Sequence, residues 1–230
     1  EKQSIETLLL LTFNTEFAEQ TAEAFLQKIS QVIPFTHLVL GHDATLGKNR
    51  HGDRTEIQAL AKKMGFTVEY LPEYKIDGVR ISSSLIRQLI EKGEFAQVER
   101  FLGRKYSIYS KVSEGERKGT GIGFPTANIP VKGLCLPPLG VYAAQLVHQG
   151  REYHGIANLG IAPTIRTDAQ PILEIHLFDY KENLYGEYVE VFFKEFLRAE
   201  KKFADIEGLK AQINQDIRRA KMILNYTETH

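Results

Sequence analysis

The pattern of apolar residues changes near residue 103, and this change limits the folds open to the chain. Before it, short continuous apolar runs alternate with segments of helical spacing. After it, short strand-like runs follow one another with turn signals between them. We therefore expect an α/β domain over 1–103, followed by a small antiparallel β-barrel domain over 104–230.

The first domain is predicted to have the order βαβαβ. Strands are expected over 8–13, 37–40 and 66–71, and helices over 21–33 and 55–64. Gly65 follows the second helix and suits a left-handed cap. Continuous apolar strands separated by helices indicate a partial doubly wound, Rossmann-like domain with a parallel sheet. Ligands of such folds collect at the carboxyl ends of the strands, where 41–53 is expected to lie.

The second domain is predicted to be a barrel that a helix completes. Strands are expected over 106–112, 141–147, 152–156, 172–177 and 188–193. Gln149 and Gly150 predict a tight hairpin turn between two of them. A carboxyl-terminal helix from about 206 to 225, capped by Asp205, carries one apolar stripe and is expected to pack on the barrel. A helix over 94–102 is expected at the junction of the domains.

Composition excludes several classes of protein. The 230 residues include 29 basic and 29 acidic ones, so no net charge attracts nucleic acid or an anionic membrane surface. Cys135 is the only cysteine, which excludes an internal disulfide. No apolar run is long enough to span a membrane, and the protein is expected to be cytoplasmic. The oligomeric state is left open.

A glycine-rich segment and the string that follows it indicate a phosphate and metal site. Gly115, Gly119, Gly121 and Gly123 permit backbone conformations in which several N–H groups point at one anion. An ordinary surface loop is the alternative. In an extended segment Thr126 and Asn128 would direct two neutral oxygens to the same side. Oxygen ligands of this kind suit Mg²⁺.

The string Gly123-Phe124-Pro125-Thr126-Ala127-Asn128 resembles the signature of the riboflavin kinase module in bacterial bifunctional riboflavin kinase/FAD synthetases. Further pieces agree in order, and the similarity runs from residue 103 to about residue 220. These pieces are Gly103–Ile108, Gly140–Ala143, Asn158–Thr164, Leu173–Leu177, Leu184–Gly186 and Phe196–Phe203.

The resemblance implies ATP- and Mg²⁺-dependent phosphorylation of riboflavin to FMN. Riboflavin, FMN and ATP would then be the partners of the protein. Arg117 and Lys118 would lie with the glycines in a flap over the phosphates, and Thr126 and Asn128 would bind Mg²⁺. Glu174 would be the general base, although a solvated strand face is the alternative. His176 is not included among the catalytic residues.

Arg198 would position flavin or the FMN phosphate, with a surface ion pair as the alternative. The flavin ring would stack on an aromatic residue of the barrel domain, although aromatic residues in a barrel more often belong to its core. The candidates are Tyr142, Tyr153, Phe178, Tyr180 and Tyr185.

The first domain resembles the nucleotidyltransferase half of the same enzymes. Its Ile-Ser-Ser-Thr-x-Ile-Arg motif resembles the string from Ile81 to Arg87, in which Ser82, Ser83, Ser84 and Arg87 would bind phosphate at a helix start. An ordinary N-cap is the alternative. The His-x-Gly-His-type motif expected after the first strand does not occur upstream of Ser82, which indicates truncation or degeneration. FMN adenylylation to FAD is therefore expected of an intact parent and is doubtful in this chain.

A second hypothesis follows from the altered first domain. The segment Gly41–Lys48 departs from the Gly-Glu-Asp-Phe-x-Phe-Gly pattern of these enzymes, losing two aromatic residues and an acidic one. The chain would then be a non-catalytic flavin-binding or regulatory module with a degenerate nucleotidyltransferase lobe.

Overall fold

The computed structural model describes residues 4–114, 121–161, 170–180 and 182–227. Two compact units are present, Glu1–Arg80 and Ile81–His230. The division predicted after residue 103 remains a prediction about the domains.

The first unit is built from short helices and strands in alternation. Its helices are α1 (Thr15–Ala18), α2 (Ala22–Val32) and α3 (Arg54–Met64), and its strands are β1 (His37–Leu40), β2 (Thr67–Tyr70), β3 (Lys75–Ile76) and β4 (Val79–Arg80). Side-chain oxygens of Thr21 and Asp53 accept backbone hydrogen bonds at the starts of α2 and α3. Gly65 ends α3 with φ of 79°, as predicted.

Strands β1 and β2 pair in parallel, which confirms the predicted parallel sheet. One apolar cluster joins α2 and α3 beside this sheet, and its buried members are Ala22, Leu26, Ile57, Leu60, Ala61 and Phe66. Burial of this cluster holds the helices against the strands.

The strand predicted over 8–13 is wrong. These residues have no regular secondary structure, and Leu8, Leu10 and Phe13 are 75%, 84% and 77% exposed. A strand needs a neighbour to satisfy its backbone groups and an apolar face to cover its side chains. Among the described residues, β1 and β2 make a sheet of two strands that does not include this segment.

Within the described residues, the second unit contains two helices, six strands and a final helix. They are α4 (Ser83–Glu91), α5 (Phe95–Leu102), β5 (Ser107–Lys111), β6 (Ala127–Pro130), β7 (Gly140–His148), β8 (Arg151–Ile161), β9 (Pro171–Leu177), β10 (Tyr188–Arg198) and α6 (Ile206–Ile223). Asp205 caps α6 by accepting a 2.7 Å hydrogen bond from the Gly208 N–H, as predicted.

The six strands form a nearly closed antiparallel barrel in the order β5-β10-β7-β8-β9-β6. An isolated bridge between Ser113 and Asn128 brings the two ends of the sheet together. The N–H of Ser113 donates to the Asn128 carbonyl at 2.8 Å. The predicted barrel is confirmed, and β6, which was not among the predicted strands, is its sixth strand. The predicted hairpin turn is also present, with positive φ at Gln149 and Gly150.

Alternation along the strands separates the barrel into an inner and an outer face. The inner face is apolar, and its fully enclosed side chains include Ile108, Ile129, Tyr142, Leu146, Leu159, Leu173, Ile175 and Val189. On the outer face, α6 packs against Val141, Ala143, Ile156, Phe178 and Leu197. The predicted packing of the last helix on the barrel is therefore confirmed.

Helices α4 and α5 belong to the barrel unit. Val98 of α5 is fully buried with Leu89 and Ile90 of α4. Phe95 extends this contact, since its ring stacks on that of Phe193 at 5.8 Å. None of the helices in the described ranges is both long and apolar enough to cross a bilayer.

Candidate active site

Glu174 lies in a row of side chains that crosses five strands on the outer face of the barrel. Residues paired directly across antiparallel strands share a face, with Cβ atoms roughly 5 Å apart. Glu174 of β9 pairs with Asn128 of β6 on one side and with Asn158 of β8 on the other. Asn158 then pairs with Val141 of β7, and Val141 pairs with Arg198 of β10 after a shift in register between Phe196 and Arg198. The barrel register thus brings Asn128, Glu174 and Arg198, which are distant in the sequence, onto one line.

Asn128 is held firmly at one end of this row. It is 4% exposed, and its carbonyl accepts hydrogen bonds from the N–H and the hydroxyl of Ser113. Thr126 lies just before β6 and is half-buried. Thr126 and Asn128 are two positions apart, so an extended backbone places both on the outer face. Gly123 precedes them with φ of 93°, a conformation that favours glycine.

The segment before Thr126 is tied to β9 by a side chain. Nδ1 of His176 lies 2.9 Å from the carbonyl oxygen of Pro125. The His176 ring also meets the Phe124 ring edge to face, with centroids 5.6 Å apart. His176 is two residues after Glu174 in β9, so both side chains are on the outer face.

Arg198 is bound by a carboxylate from α6. Its guanidinium donates from Nε to both oxygens of Asp216, at 3.1 and 2.9 Å, and its Nη2 lies 2.7 Å from Oδ2. Asp216 is 4% exposed and also accepts a hydrogen bond from Gln212. The sequence left open that Arg198 forms an ion pair at the surface. It does form an ion pair, but the carboxylate of its partner Asp216 is buried. The guanidinium retains Nη1, which donates to the carbonyl of Ala199.

Asn158 was missed as a site residue, although it stands in one of the motif pieces. It pairs directly with Glu174 across β8 and β9, and Gly160 follows it on the same face. A Cβ on Gly160 would fall 2.2 Å from Oε1 of Glu200 and 3.3 Å from Nδ2 of Asn158. The absence of a side chain at Gly160 therefore leaves room for the Glu200 carboxylate on this face.

Four of the predicted phosphate-binding residues, Gly115, Arg117, Lys118 and Gly119, lie outside the described residues. Gly121 is described, and a Cβ there would meet no atom within 4 Å. The flap over the phosphates therefore remains a prediction.

The predicted phosphate site of the serine motif lies at the start of α4. The Ser82 hydroxyl accepts a 3.2 Å hydrogen bond from the Leu85 N–H and so caps the helix. Ser83, Ser84 and Arg87 are exposed in the first turns of α4. This hydrogen bond agrees with the alternative of an ordinary N-cap. Phosphate binding at this helix start remains a prediction.

An ion pair links the loop after β1 in the first unit to the β3–β4 hairpin. Arg80 donates to the Asp43 carboxylate at 2.8 Å and lies 3.1 Å from Glu73. The hydrogen bond from Arg80 lowers the pKa of Asp43 below its usual value. His42 adds a smaller favourable charge interaction with Asp43.

Two of the aromatic candidates for flavin stacking are buried in the protein. Tyr142 is fully enclosed in the barrel, its hydroxyl donates to the Pro138 carbonyl, and burial raises its pKa. Phe178 is buried where α6 packs, beside the ring of Tyr226. Tyr153 and Tyr180 pack edge to face at 4.9 Å, each partly exposed.

The donor set at the Asn128 end of the row fits Mg²⁺. Thr126 and Asn128 offer neutral oxygens, and Glu174 places a carboxylate directly opposite Asn128. Hard oxygen donors that leave positions for water and phosphate are what Mg²⁺ prefers. Among the described residues, no group of three or more His, Cys, Asp and Glu side chains could hold a metal ion.

Several known proteins are similar to this chain in sequence and in fold. A sequence model of the riboflavin kinase family matches residues 102–224, and one of FAD synthetase matches residues 1–85. A bifunctional riboflavin kinase/FMN adenylyltransferase of Haemophilus influenzae is 37% identical over 98% of this chain and 73% of its own length. The protein of that name from Pseudomonas fluorescens is 34% identical over 96% of this chain and 71% of its own. A crystal structure named as a macrolide-efflux protein from Streptococcus pneumoniae has a TM-score of 0.75 and 26% identity, covering 98% of this chain and 72% of that one.

The nearly closed barrel around an apolar core, with Glu174 on its outer face, is thus the barrel of a flavokinase. The chain belongs to the family of bifunctional riboflavin kinase/FMN adenylyltransferases.

Proposed function

We propose that the barrel unit transfers the γ-phosphoryl group of ATP to the terminal ribityl hydroxyl of riboflavin, giving FMN and ADP. The observation that carries the proposal is the position of Glu174 between Asn128 and Asn158, in a unit that matches the riboflavin kinase family. Riboflavin and ATP are the substrates that the names of the family and its members imply.

In this reaction the ribityl oxygen bonds to the γ-phosphorus, the bond from that phosphorus to the bridging oxygen breaks, and ADP leaves. The hydroxyl proton goes to the Glu174 carboxylate, which acts as the general base. Arg198 lies on the same face and would position flavin or the FMN phosphate, with Asp216 fixing its guanidinium and balancing its charge. The flap residues Arg117 and Lys118 would hold the phosphates of ATP.

Thr126 and Asn128 would hold Mg²⁺, together with nucleotide oxygens and water. When bound, the ion neutralises charge on the β- and γ-phosphates. Asn128 contributes orientation, since it is buried and its backbone is paired with both β9 and Ser113.

The assay that tests the proposal contains the protein, riboflavin, ATP and Mg²⁺. We expect FMN and ADP to form in equal amounts, separated by chromatography and detected by flavin fluorescence and nucleotide absorbance. A folded protein that binds riboflavin and forms no FMN would contradict the proposal. In that case the non-catalytic flavin-binding module would be favoured, and titration calorimetry with ADP and Mg²⁺ would show whether a nucleotide site exists.

A substitution at Thr126 tests the metal site. Thr126→Val removes the hydroxyl at nearly constant volume, and we expect the Mg²⁺ concentration for half-maximal activity to rise about tenfold or more, by analogy with the loss of other metal-site contacts. Thr126→Ser keeps the oxygen and is the matched control, expected to stay near the wild-type value. Equal Mg²⁺ dependence of the two variants would remove Thr126 from the metal site.

Adenylylation of FMN is the second activity in the names of the relatives. We propose that it belongs to an intact first domain. The same protein incubated with FMN, ATP and Mg²⁺ is expected to form no FAD, since this sequence lacks the His-x-Gly-His-type motif. Formation of FAD and pyrophosphate would show that other residues of the chain replace that motif.

A further inference from the structure

His176 forms a side-chain link where the backbone ladder between β6 and β9 stops. The ladder runs from the pair Pro130 and Ile172 to the pair Ala127 and Ile175. Beyond this pair no backbone pairing of the ladder fixes Thr126. The His176 ring reaches across the gap to the carbonyl of Pro125, at 2.9 Å.

The chemistry of this contact fixes which ring nitrogen carries the hydrogen. A carbonyl oxygen only accepts hydrogen bonds, so Nδ1 of His176 must be the donor to Pro125. Both the neutral Nδ1–H tautomer and the protonated ring satisfy this requirement. The link therefore does not depend on protonation of His176.

The Phe124 ring adds an apolar contact to the same segment. It packs edge to face on the His176 ring, at 82° between the planes. The two contacts hold the residues on both sides of the Phe124-Pro125 bond against β9. Thr126 comes immediately after this segment, and Glu174 stands two residues before His176 on the same strand.

We propose that His176 is a positioning residue, which holds the Phe124–Thr126 segment so that the Thr126 oxygen stays in place relative to Glu174. The inference rests on the proposed kinase function, because it assumes that Thr126 binds the metal of the nucleotide complex. His176 itself need not touch substrate or metal. Its effect acts through the carbonyl of Pro125.

Three substitutions separate the hydrogen bond from the bulk of the ring. His176→Asn places an amide N–H near the position of Nδ1, His176→Gln places one near Nε2, and His176→Ala removes both. We expect His176→Ala and His176→Gln to raise the Mg²⁺ concentration for half-maximal activity about tenfold, as loss of an outer contact in a metal site does. His176→Asn should recover most of this loss, with riboflavin affinity unchanged in all three.

Titration calorimetry with ADP and Mg²⁺ gives a second readout that needs no turnover. Weaker Mg²⁺-dependent binding of ADP in His176→Gln than in His176→Asn would support the link even if the wild type forms no FMN. That result, with no FMN formed, would contradict the kinase proposal alone. Equal binding and equal Mg²⁺ dependence of the Asn and Gln variants would overturn the role of His176 while leaving the kinase proposal intact.

His154→Ala is the matched control. His154 is also a strand histidine of the barrel, but its ring packs against Tyr226 at 5.7 Å, in contact with the carboxyl-terminal segment. We expect this variant to keep the wild-type Mg²⁺ dependence. A rise in both His154→Ala and His176→Ala would indicate general loosening of the barrel and would overturn the specific role.

Discussion

Glutamine in place of Glu174 is expected to reduce the turnover number for FMN formation by roughly 10²- to 10⁴-fold, the usual contribution of a general base. Glutamine preserves the volume and one oxygen of the side chain, so the row beside Asn128 and Asn158 should keep its packing. It cannot accept the proton of the ribityl hydroxyl. The loss acts on the transition state, so the dissociation constants of riboflavin and ADP should change little.

Steady-state kinetics and equilibrium binding measured on the same preparation check this prediction. Glu190→Gln is the matched control, since Glu190 pairs with Tyr109 and Val147, away from the row that contains Glu174. We expect near wild-type turnover from it. Unchanged turnover of the Glu174 variant would remove that residue from the role of base, whatever the control shows.

Periodicity predicted the elements that carry their own signals in the sequence. Helix α3 ends at Gly65, and this left-handed cap is visible in the sequence. Helix α6 has its cap in Asp205 and a stripe of apolar residues that requires a partner surface. The predictions of these two helices were correct because local chemistry and tertiary packing favour the same structure in both.

The segment over 8–13 shows where periodicity is insufficient. Its apolar residues have the composition of a buried strand, but a strand exists only when another strand pairs with it. Strand β6 shows the reverse case, because Ala127–Pro130 carries a weak strand signal and is held by pairing with β9 and the bridge at Ser113. In both cases the partner, which lies elsewhere in the chain, decides the outcome.

The motifs in the sequence identified residues of the candidate site, but they did not predict how these residues are arranged in space. Glu174, Asn128 and Arg198 stand in recognisable strings, but their common row depends on the register of five strands. A shift of one residue in any pair would turn a side chain to the other face. Asn158 and His176 acquire their importance only from this register, the first beside Glu174 and the second opposite Pro125.

The ion pair between Arg198 and Asp216 is expected to make the largest contribution to stability of any charged contact between β10 and α6. Asp216 is 4% exposed and accepts hydrogen bonds from Arg198 and Gln212. Its removal would leave the Arg198 guanidinium without its counter-charge. Loss of one partner of a buried pair costs about 3–5 kcal/mol. Because the Arg198 side chain is 21% exposed and can still reach water, we expect Asp216→Ala to lower the free energy of unfolding by about 2–3 kcal/mol.

Urea denaturation followed by circular dichroism measures this loss, and two further variants define its cause. Asp216→Asn keeps the volume and one acceptor oxygen, but it removes the charge and places an N–H₂ group against the donors of Arg198 or Gln212, so it should cost about as much as Asp216→Ala. Glu195 of β10 and Arg219 of α6 form a second ion pair between the same two elements, and their side chains are 49% and 50% exposed. Glu195→Ala removes the carboxylate of this pair. Exposed pairs contribute about 1 kcal/mol or less, so this variant should remain close to the wild type. Equal losses from Asp216→Ala and Glu195→Ala would show that burial of Asp216 does not set the strength of its pair with Arg198.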